Sequence, residues 1–242
     1  MNISQTADLP EAAPADARSA RQRCVVAFTL IELLVVIAII AVLAGLIVGL
    51  SGYSNRKMKE SRIRTELNAL VTAIESYHAR FGHYPKDNVV SKAPLVVNPV
   101  TNALFYELSG TVLDNATGIF RTREGDERID AANVRTYFNM EGFVNSSTDP
   151  KQVKSFMTFK KKQYEELFPP NSVPDVELLV VPVPWPLDSG NPPTAKKGLN
   201  PFRYVSTSPT NNPTTFDLWA EYVDGKRIRI ICNWSKDILE KQ

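Results

Sequence analysis

Two hydrophobic patterns follow one another in the first third of the chain. From Phe28 to Leu50 the positions are apolar or glycine apart from Thr29 and Glu32, so no polar face exists in that stretch. As a helix rising about 1.5 Å per residue, these 23 positions (28 to 50 inclusive) reach roughly 34 Å, enough for a hydrocarbon core about 30 Å thick. Glu32 is the exception that needs a reason, because an ionised carboxylate at such depth costs on the order of 3 kcal/mol. Past Leu50 the pattern becomes one-sided: Ile63, Leu67, Leu70, Ile74, Tyr77 and Phe81 are spaced 4, 3, 4, 3 and 4, the helical period. Arg56, Lys59, Arg62, Arg64, Glu66 and Glu75 fall mostly off that stripe, and Gly82 and Pro85 supply stop signals. The two patterns predict one helix of about 50 residues, apolar all round in its first half and amphipathic in its second. Gly45 and Gly49 form a small-xxx-small pair in the apolar half. Such a pair lets two helices approach closely, and it is equally compatible with glycines tolerated on a lipid-facing helix.

Residues 86–181 mix polarities, with turn signals at Ser109-Gly110, Asn115, Gly118, Glu124-Gly125-Asp126 and Asp149-Pro150, and read as short strands and loops. Within them Val153, Phe156, Phe159, Gln163 and Leu167 predict a helix over 151–168, ended by Pro169-Pro170. Eight prolines between Pro182 and Pro213 predict an irregular connection along the surface. The last part reads as β. Phe202-Arg203-Tyr204-Val205 is a short strand, and Phe216, Leu218, Ala220 and Tyr222 alternate with Asp217, Trp219 and Glu221. Asp224-Gly225 signals a tight hairpin, and Ile228, Ile230 and Cys232 alternate with Arg227, Arg229 and Ile231 on the returning strand. The fold class expected is α+β, with the long helix packed on a small antiparallel sheet that buries the first set of each strand.

The run Phe28-Thr29-Leu30-Ile31-Glu32-Leu33-Leu34-Val35-Val36-Ile37-Ala38-Ile39-Ile40 resembles the signature of type IV pilins and type II secretion pseudopilins. The resemblance implies that a prepilin peptidase cuts between Ala27 and Phe28 and methylates the new amine of Phe28. It also implies that Glu32 pairs with the N-terminus of a neighbouring subunit during filament assembly. The family favours Gly before the cut bond, where this chain has Ala27. The expected organisation is a cleaved leader over 1–27, a transmembrane and filament-core helix over 28–52, its amphipathic continuation over 53–85, a variable α/β region over 86–181, and the Pro-rich loop with C-terminal strands over 182–242. Arg18, Arg21 and Arg23 precede the apolar run and Arg56, Lys57, Lys59, Arg62 and Arg64 follow it, so a count of positive charges favours one orientation and the resemblance the other. The resemblance puts the leader in the cytoplasm and the C-terminal domain in the periplasm, as a single-pass protein of a bacterial inner membrane.

Asn200-Pro201-Phe202-Arg203-Tyr204, Phe216-Asp217-Leu218-Trp219, Asp224-Gly225 and Asn233-Trp234 resemble the end of the major pseudopilin of type II secretion, a family in which an acidic loop after Asp-Gly often binds calcium. Here Asp224-Gly225-Lys226-Arg227 is short and basic. Calcium takes six to eight oxygens, and the nearby side-chain acids are only Asp217, Asp224 and Asp237, so no metal or other cofactor is expected.

Composition adds exclusions. Of 242 residues with a formal net charge of +2, loss of 1–27 removes Asp8, Glu11 and Asp16 together with Arg18, Arg21 and Arg23, so the net charge stays at +2 and no strong field points to nucleic acid. Lys160-Lys161-Lys162 is followed by Glu165-Glu166 and reads as a solvated face. The cysteines are Cys24 and Cys232, so a chain cut after Ala27 has one thiol and no internal disulfide. His78 and His83 do not share a helical face, Glu165 and Glu166 are adjacent and diverge on a helix, and none of G-x-S-x-G, H-E-x-x-H or a P-loop occurs. The expectation is a non-enzymatic structural subunit, a pseudopilin or related filament protein, whose partners are the prepilin peptidase, other pilin-like subunits and the inner membrane. The alternatives are a minor type IV pilin for adhesion or DNA uptake, and a membrane-anchored binding or enzyme domain that carries a pilin-like leader.

Overall fold

The computed structural model of the chain describes residues 29–167, 176–186, 193, 194, 196 and 198–241; the expected leader and the Ala27–Phe28 junction lie outside them. The protein is α+β. It divides into two compact units, 1–51 and 52–242. A single helix, α1 (Leu30–Phe81, 52 residues), supplies the described structure of the first unit and the opening element of the second. Its length and its end, just before Gly82 with φ of +76°, match the periodicity and the stop signal.

The second unit carries several small sheets. After α1 comes the antiparallel hairpin β1 (Asn88–Lys92) and β2 (Leu95–Asn98), then the buried helix α2 (Leu104–Ser109). Strands β3 (Thr111–Asp114), β4 (Ile119–Thr122) and β5 (Arg128–Asp130) form an antiparallel meander leading to helix α3 (Ala131–Phe138), and β6 (Ser146–Ser147) joins β3 in parallel. Strands β7 (Tyr164–Glu166), β8 (Glu177–Val181) and β9 (Asn200–Pro201) form a three-stranded antiparallel sheet. Last come β10 (Arg203–Val205), β11 (Asp217–Asp224), β12 (Arg227–Cys232) and β13 (Leu239–Glu240), antiparallel and in that spatial order.

The stripe read from the sequence is the helix's contribution to the core. Ile63, Leu67, Leu70, Ile74 and Tyr77 are all buried, and they join one cluster with Leu104, Phe138, Leu178, Tyr204, Leu218, Ala220, Tyr222 and Ile231. Phe81 packs at its edge. α3 is a helix that hydrophobic spacing did not reveal, but its ends are chemically marked. The Asp130 carboxylate accepts the Asn133 N–H at 2.6 Å at one end, and Asn139 takes the left-handed conformation (φ 54°) at the other.

The helix expected over 151–168 is absent. Its described part, 151–167, is turns and extended chain running into β7, and its backbone serves the end of α2: the N–H groups of Phe156 and Met157 both donate to Leu108 O, at 2.8 and 3.3 Å. A helix needs those donors for itself. Val153 is buried and Phe156 and Phe159 pack against the apolar core, so a three-residue spacing of anchors in extended chain imitated a helical face. Gly110 is required where this segment passes. Its φ is +73°, and a Cβ there would stand 2.5 Å from Val153 Cγ1 and 2.8 Å from Lys154 O.

The last hairpin corrects a second expectation. Its two-residue turn, Gly225-Lys226, pairs Asp224 with Arg227, and therefore Ala220 with Ile231 and Tyr222 with Arg229. Opposed residues share a face, so the set facing α1 is Leu218, Ala220, Tyr222, Arg229 and Ile231. Ile228, Ile230 and Cys232 lie on the other face with Val223, Glu221 and Trp219. Any two-residue turn pairs even with odd positions here, a constraint that outranks the count of apolar side chains. The outer face is also not a solvated one, since Asp217 and Glu221 are buried.

Arg229 on the inner face is neutralised rather than expelled. Its Nε lies 2.9 Å from Asp224 Oδ2, which also takes Arg56 Nη1 at 3.3 Å. Beside this group Glu60, 6 % exposed, accepts from the Tyr222 hydroxyl at 2.7 Å and pairs with Lys57 at 3.0 Å. Burial pushes the Glu60 carboxyl up, but the hydrogen bonds from Tyr222 and Lys57 and the charges of Lys57 and Arg229 outweigh it and hold the group below its ordinary value. Its stabilising share is thus present above the unfolded carboxyl's pKa and is lost as pH falls through the lower folded value. Tyr222→Phe is expected to cost about 2 kcal/mol at pH 7, the scale of a hydrogen bond to a charged acceptor. The cost should shrink at pH 3, as read by urea unfolding of the detergent-solubilised protein at both values.

Candidate functional site

The helix start is built from local chemistry. Thr29 stands just before Leu30, and its backbone N–H and hydroxyl both donate to Glu32 Oε2 at 2.8 Å, while Glu32 N–H reaches back to Thr29 Oγ1 at 3.3 Å. This is a reciprocal capping box, in which two amide donors left without carbonyl partners at a helix start are satisfied by side chains three residues apart. Sequence reasoning missed this cap, whose signal is Thr29-x-x-Glu32 ahead of an apolar run, and it gives Glu32 a local partner in addition to the intermolecular one the resemblance implies. A carboxylate in the first turn also meets the positive end of the helix dipole.

From this cap to Ile47 no described residue covers the apolar side chains. Every residue from Thr29 to Ile47 is exposed, including Leu30, Ile31, Leu33, Leu34, Ile37, Ile39, Ile40, Leu43, Leu46 and Ile47. Among the described residues α1 is the one helix long and apolar enough to cross a membrane, and from Leu33 to Asn55 it carries no charge. A helix apolar all round requires a surrounding that is apolar all round, lipid or other helices. A Cβ added at Gly45 would meet no atom within 4 Å, so the position offers an open notch; the surroundings of Gly49 lie outside the described residues.

In the second unit α1 begins with an amphipathic collar. The guanidinium of Arg56 and the ammonium of Lys57 lie 5.6 and 6.0 Å from the centre of the exposed Tyr53 ring. An aromatic ring with long basic side chains is the combination that settles at a membrane–water boundary.

The other residues singled out in the sequence are not brought together. Asp217 is buried and accepts from Asn211 N, Asn211 Nδ2 and Asn212 N, at 2.9 to 3.0 Å, which orders the loop before β11. Asp224 is occupied by Arg56 and Arg229, and Asp237 is exposed in the turn after β12. These carboxylates serve three different places and do not form one oxygen shell. His78 stacks on Tyr84 with ring centres 4.3 Å apart, and His83 Nδ1 lies 2.9 Å from Tyr84 O; both belong to the end of α1 and the chain leaving it. Glu165 and Glu166 lie in β7 rather than in a helix, where neighbours point to opposite faces. Lys160, Lys161 and Lys162 are exposed.

Three buried charged residues, at two places, escaped the sequence reading. Glu107 of α2 is fully buried, and its carboxylate accepts from the Tyr77 hydroxyl (3.0 Å), Val144 N (2.9 Å) and Asn145 N (3.0 Å), joining α1, α2 and the chain before β6. Burial drives this carboxyl upward against the pull of those donors. Arg203 and Glu221 form a buried ion pair on the outer face of the last sheet. The signal available was a charged residue inside a strand pattern, Arg203 between Phe202 and Tyr204 and Glu221 between Ala220 and Tyr222.

Comparison of the chain with family models, with characterised proteins and with solved structures found no match. The cap is the directly testable element. Thr29→Ala should cost the helix start about 1 kcal/mol, read as roughly fivefold faster amide exchange at Leu30–Leu33 in micelles while exchange over Ile63–Tyr77 is unchanged.

Proposed function

We infer that this protein is a pilin-like structural subunit, a pseudopilin or close relative, that waits in a membrane and is drawn into a helical filament through its apolar helix. The observation that carries this reading is a capped apolar helix segment whose residues from Leu30 to Ile47 are all exposed, opened by a single carboxylate at Glu32. Such a surface needs lipid before assembly and neighbouring helices after it, so one segment serves both states. The resemblance of Phe28–Ile40 supplies the rest of the reading. A prepilin peptidase removes residues 1–27, Phe28 becomes an N-methylated terminus, and Glu32 meets that terminus on the next subunit.

On this reading the leader is cytoplasmic, the unit beginning at Gly52 is periplasmic, the partners are like subunits, and the work is mechanical. Charge pairing in a low-dielectric filament core is strong and sensitive to distance, so it favours extraction of a subunit only in register. Gly45 and Gly49 would admit the close helix contacts of such a core. The packing of α1 against the antiparallel sheet of β10–β13 supports the pilin-like architecture.

Mass spectrometry of the membrane-purified protein is expected to find N-methyl-Phe28 as first residue; an intact leader would leave only a membrane anchor. Glu32→Gln separates the two roles of the carboxylate, because glutamine retains the capping box and lacks the charge. Cleavage should persist in this variant. Incorporation into filaments, read by shearing and immunoblotting, should fall at least tenfold, the equivalent of about 1.4 kcal/mol or more. Normal incorporation would mean that Glu32 serves the cap alone.

A further inference from the structure

The outer face of the last sheet holds a recess that neither the membrane helix nor filament assembly accounts for. Arg203 of β10 lies directly opposite Trp219 of β11 and therefore on the face of Trp219 and Glu221, away from α1. Its side chain is 4 % exposed. Nη1 is held by Asn200 Oδ1 at 3.1 Å and Pro201 O at 3.2 Å, and Nη2 lies 3.3 Å from Glu221 Oε2. Trp185, in the chain following β8, lays its ring over the guanidinium with 5.1 Å from Cζ to the ring centre. Lys241, near the C-terminal end, brings Nζ to 3.3 and 3.2 Å from the two Glu221 oxygens, and Trp219 Nε1 donates to Oε1 at 3.4 Å. With Pro193 and the chain at 98–101 these groups border an open recess of about 590 Å³, within the range of small-molecule sites.

The chemistry of the lining is uneven in a way that selects a ligand. Glu221 already takes Arg203, Lys241 and Trp219, so its acceptor capacity is used within the protein. The cations outnumber it two to one, and Lys241 alone stands half in solvent at the rim, at 44 % exposure. Donors and positive charge are in excess, which calls for an anionic, acceptor-rich guest. The walls add two indole rings and Pro99, flat apolar surfaces that a bare inorganic anion would not use.

We propose that this recess binds an acidic carbohydrate, a uronate-containing oligosaccharide. A pyranose ring lays its C–H face on an indole and directs its hydroxyl groups and carboxylate toward Lys241 and Arg203. Arg203 is pre-oriented by four partners, so little side-chain freedom is lost on binding. The site is independent of Phe28 and Glu32, and its failure would leave the filament reading untouched.

The test is calorimetric titration of the full chain, in a detergent without a sugar head group, with trigalacturonate, neutral maltotriose and triglutamate. Saturable binding of trigalacturonate is expected, with maltotriose and triglutamate each roughly tenfold weaker or more. Lys241→Met should weaken trigalacturonate roughly tenfold, the scale of one lost charge-assisted contact, at an unchanged unfolding temperature. Trp185→Leu should remove the binding. Absence of saturation with trigalacturonate, equal affinity for triglutamate, or indifference to Lys241→Met would overturn the assignment. Lys241 is at the rim and its backbone bond to Ile228 O does not involve the side chain, so that variant decides the matter if Trp185→Leu fails to fold.

Discussion

One helix is asked to satisfy two solvents. Over Leu30–Ile47 α1 presents apolar groups on every side and no described residue covers them, while over Ile63–Tyr77 it presents a single stripe that the second unit buries. The first condition demands an apolar exterior, and the second demands a domain with one apolar face to offer. The antiparallel sheet of β10–β13 and the buried helix α2 answer the second demand, since a stripe on a helix is stable only against a complementary layer.

Charge in the second unit is placed by the same economy of water. Glu60, Glu107, Arg203, Asp217 and Glu221 are all taken out of solvent, and each is matched by donors or an opposite charge. An unmatched buried charge costs several kcal/mol, whereas a matched one roughly breaks even. What these groups add is register. Glu107 ties three separate chain segments at one carboxylate, and Glu60 with Asp224 ties the start of the amphipathic helix to the last hairpin. The Arg203–Glu221 pair opens onto a recess.

Legibility followed the range of the interaction. Helix period, stop glycine, capping box and hairpin turn are written within about four residues, and α1 and the β11–β12 turn were readable for that reason. The segment 151–168 was not, because its amides are claimed by Leu108 O, far away in sequence. Nor was the inner face of β12, where Ile228 and Ile230 made the more apolar set and the register chose Arg229 and Ile231. Of the proposed assembly site, the chemistry of Glu32 was plain from its neighbours. The outer-face recess was invisible, since Trp185, Arg203, Trp219 and Lys241 come from four separate stretches of chain.

Sequence by itself determined that a membrane-length apolar helix with one carboxylate leads into an amphipathic half and an α+β domain, because hydrophobic period and composition act locally and additively. Tertiary structure alone decided which face of each late strand looks inward and that the described part of 151–168 is not helical. It also placed two of the acids singled out for a cation apart, Asp217 among amides and Asp224 among arginines. Those outcomes depend on which distant donors and charges arrive within about 3 Å of one another, and pairing at that distance is set only when the whole chain has folded.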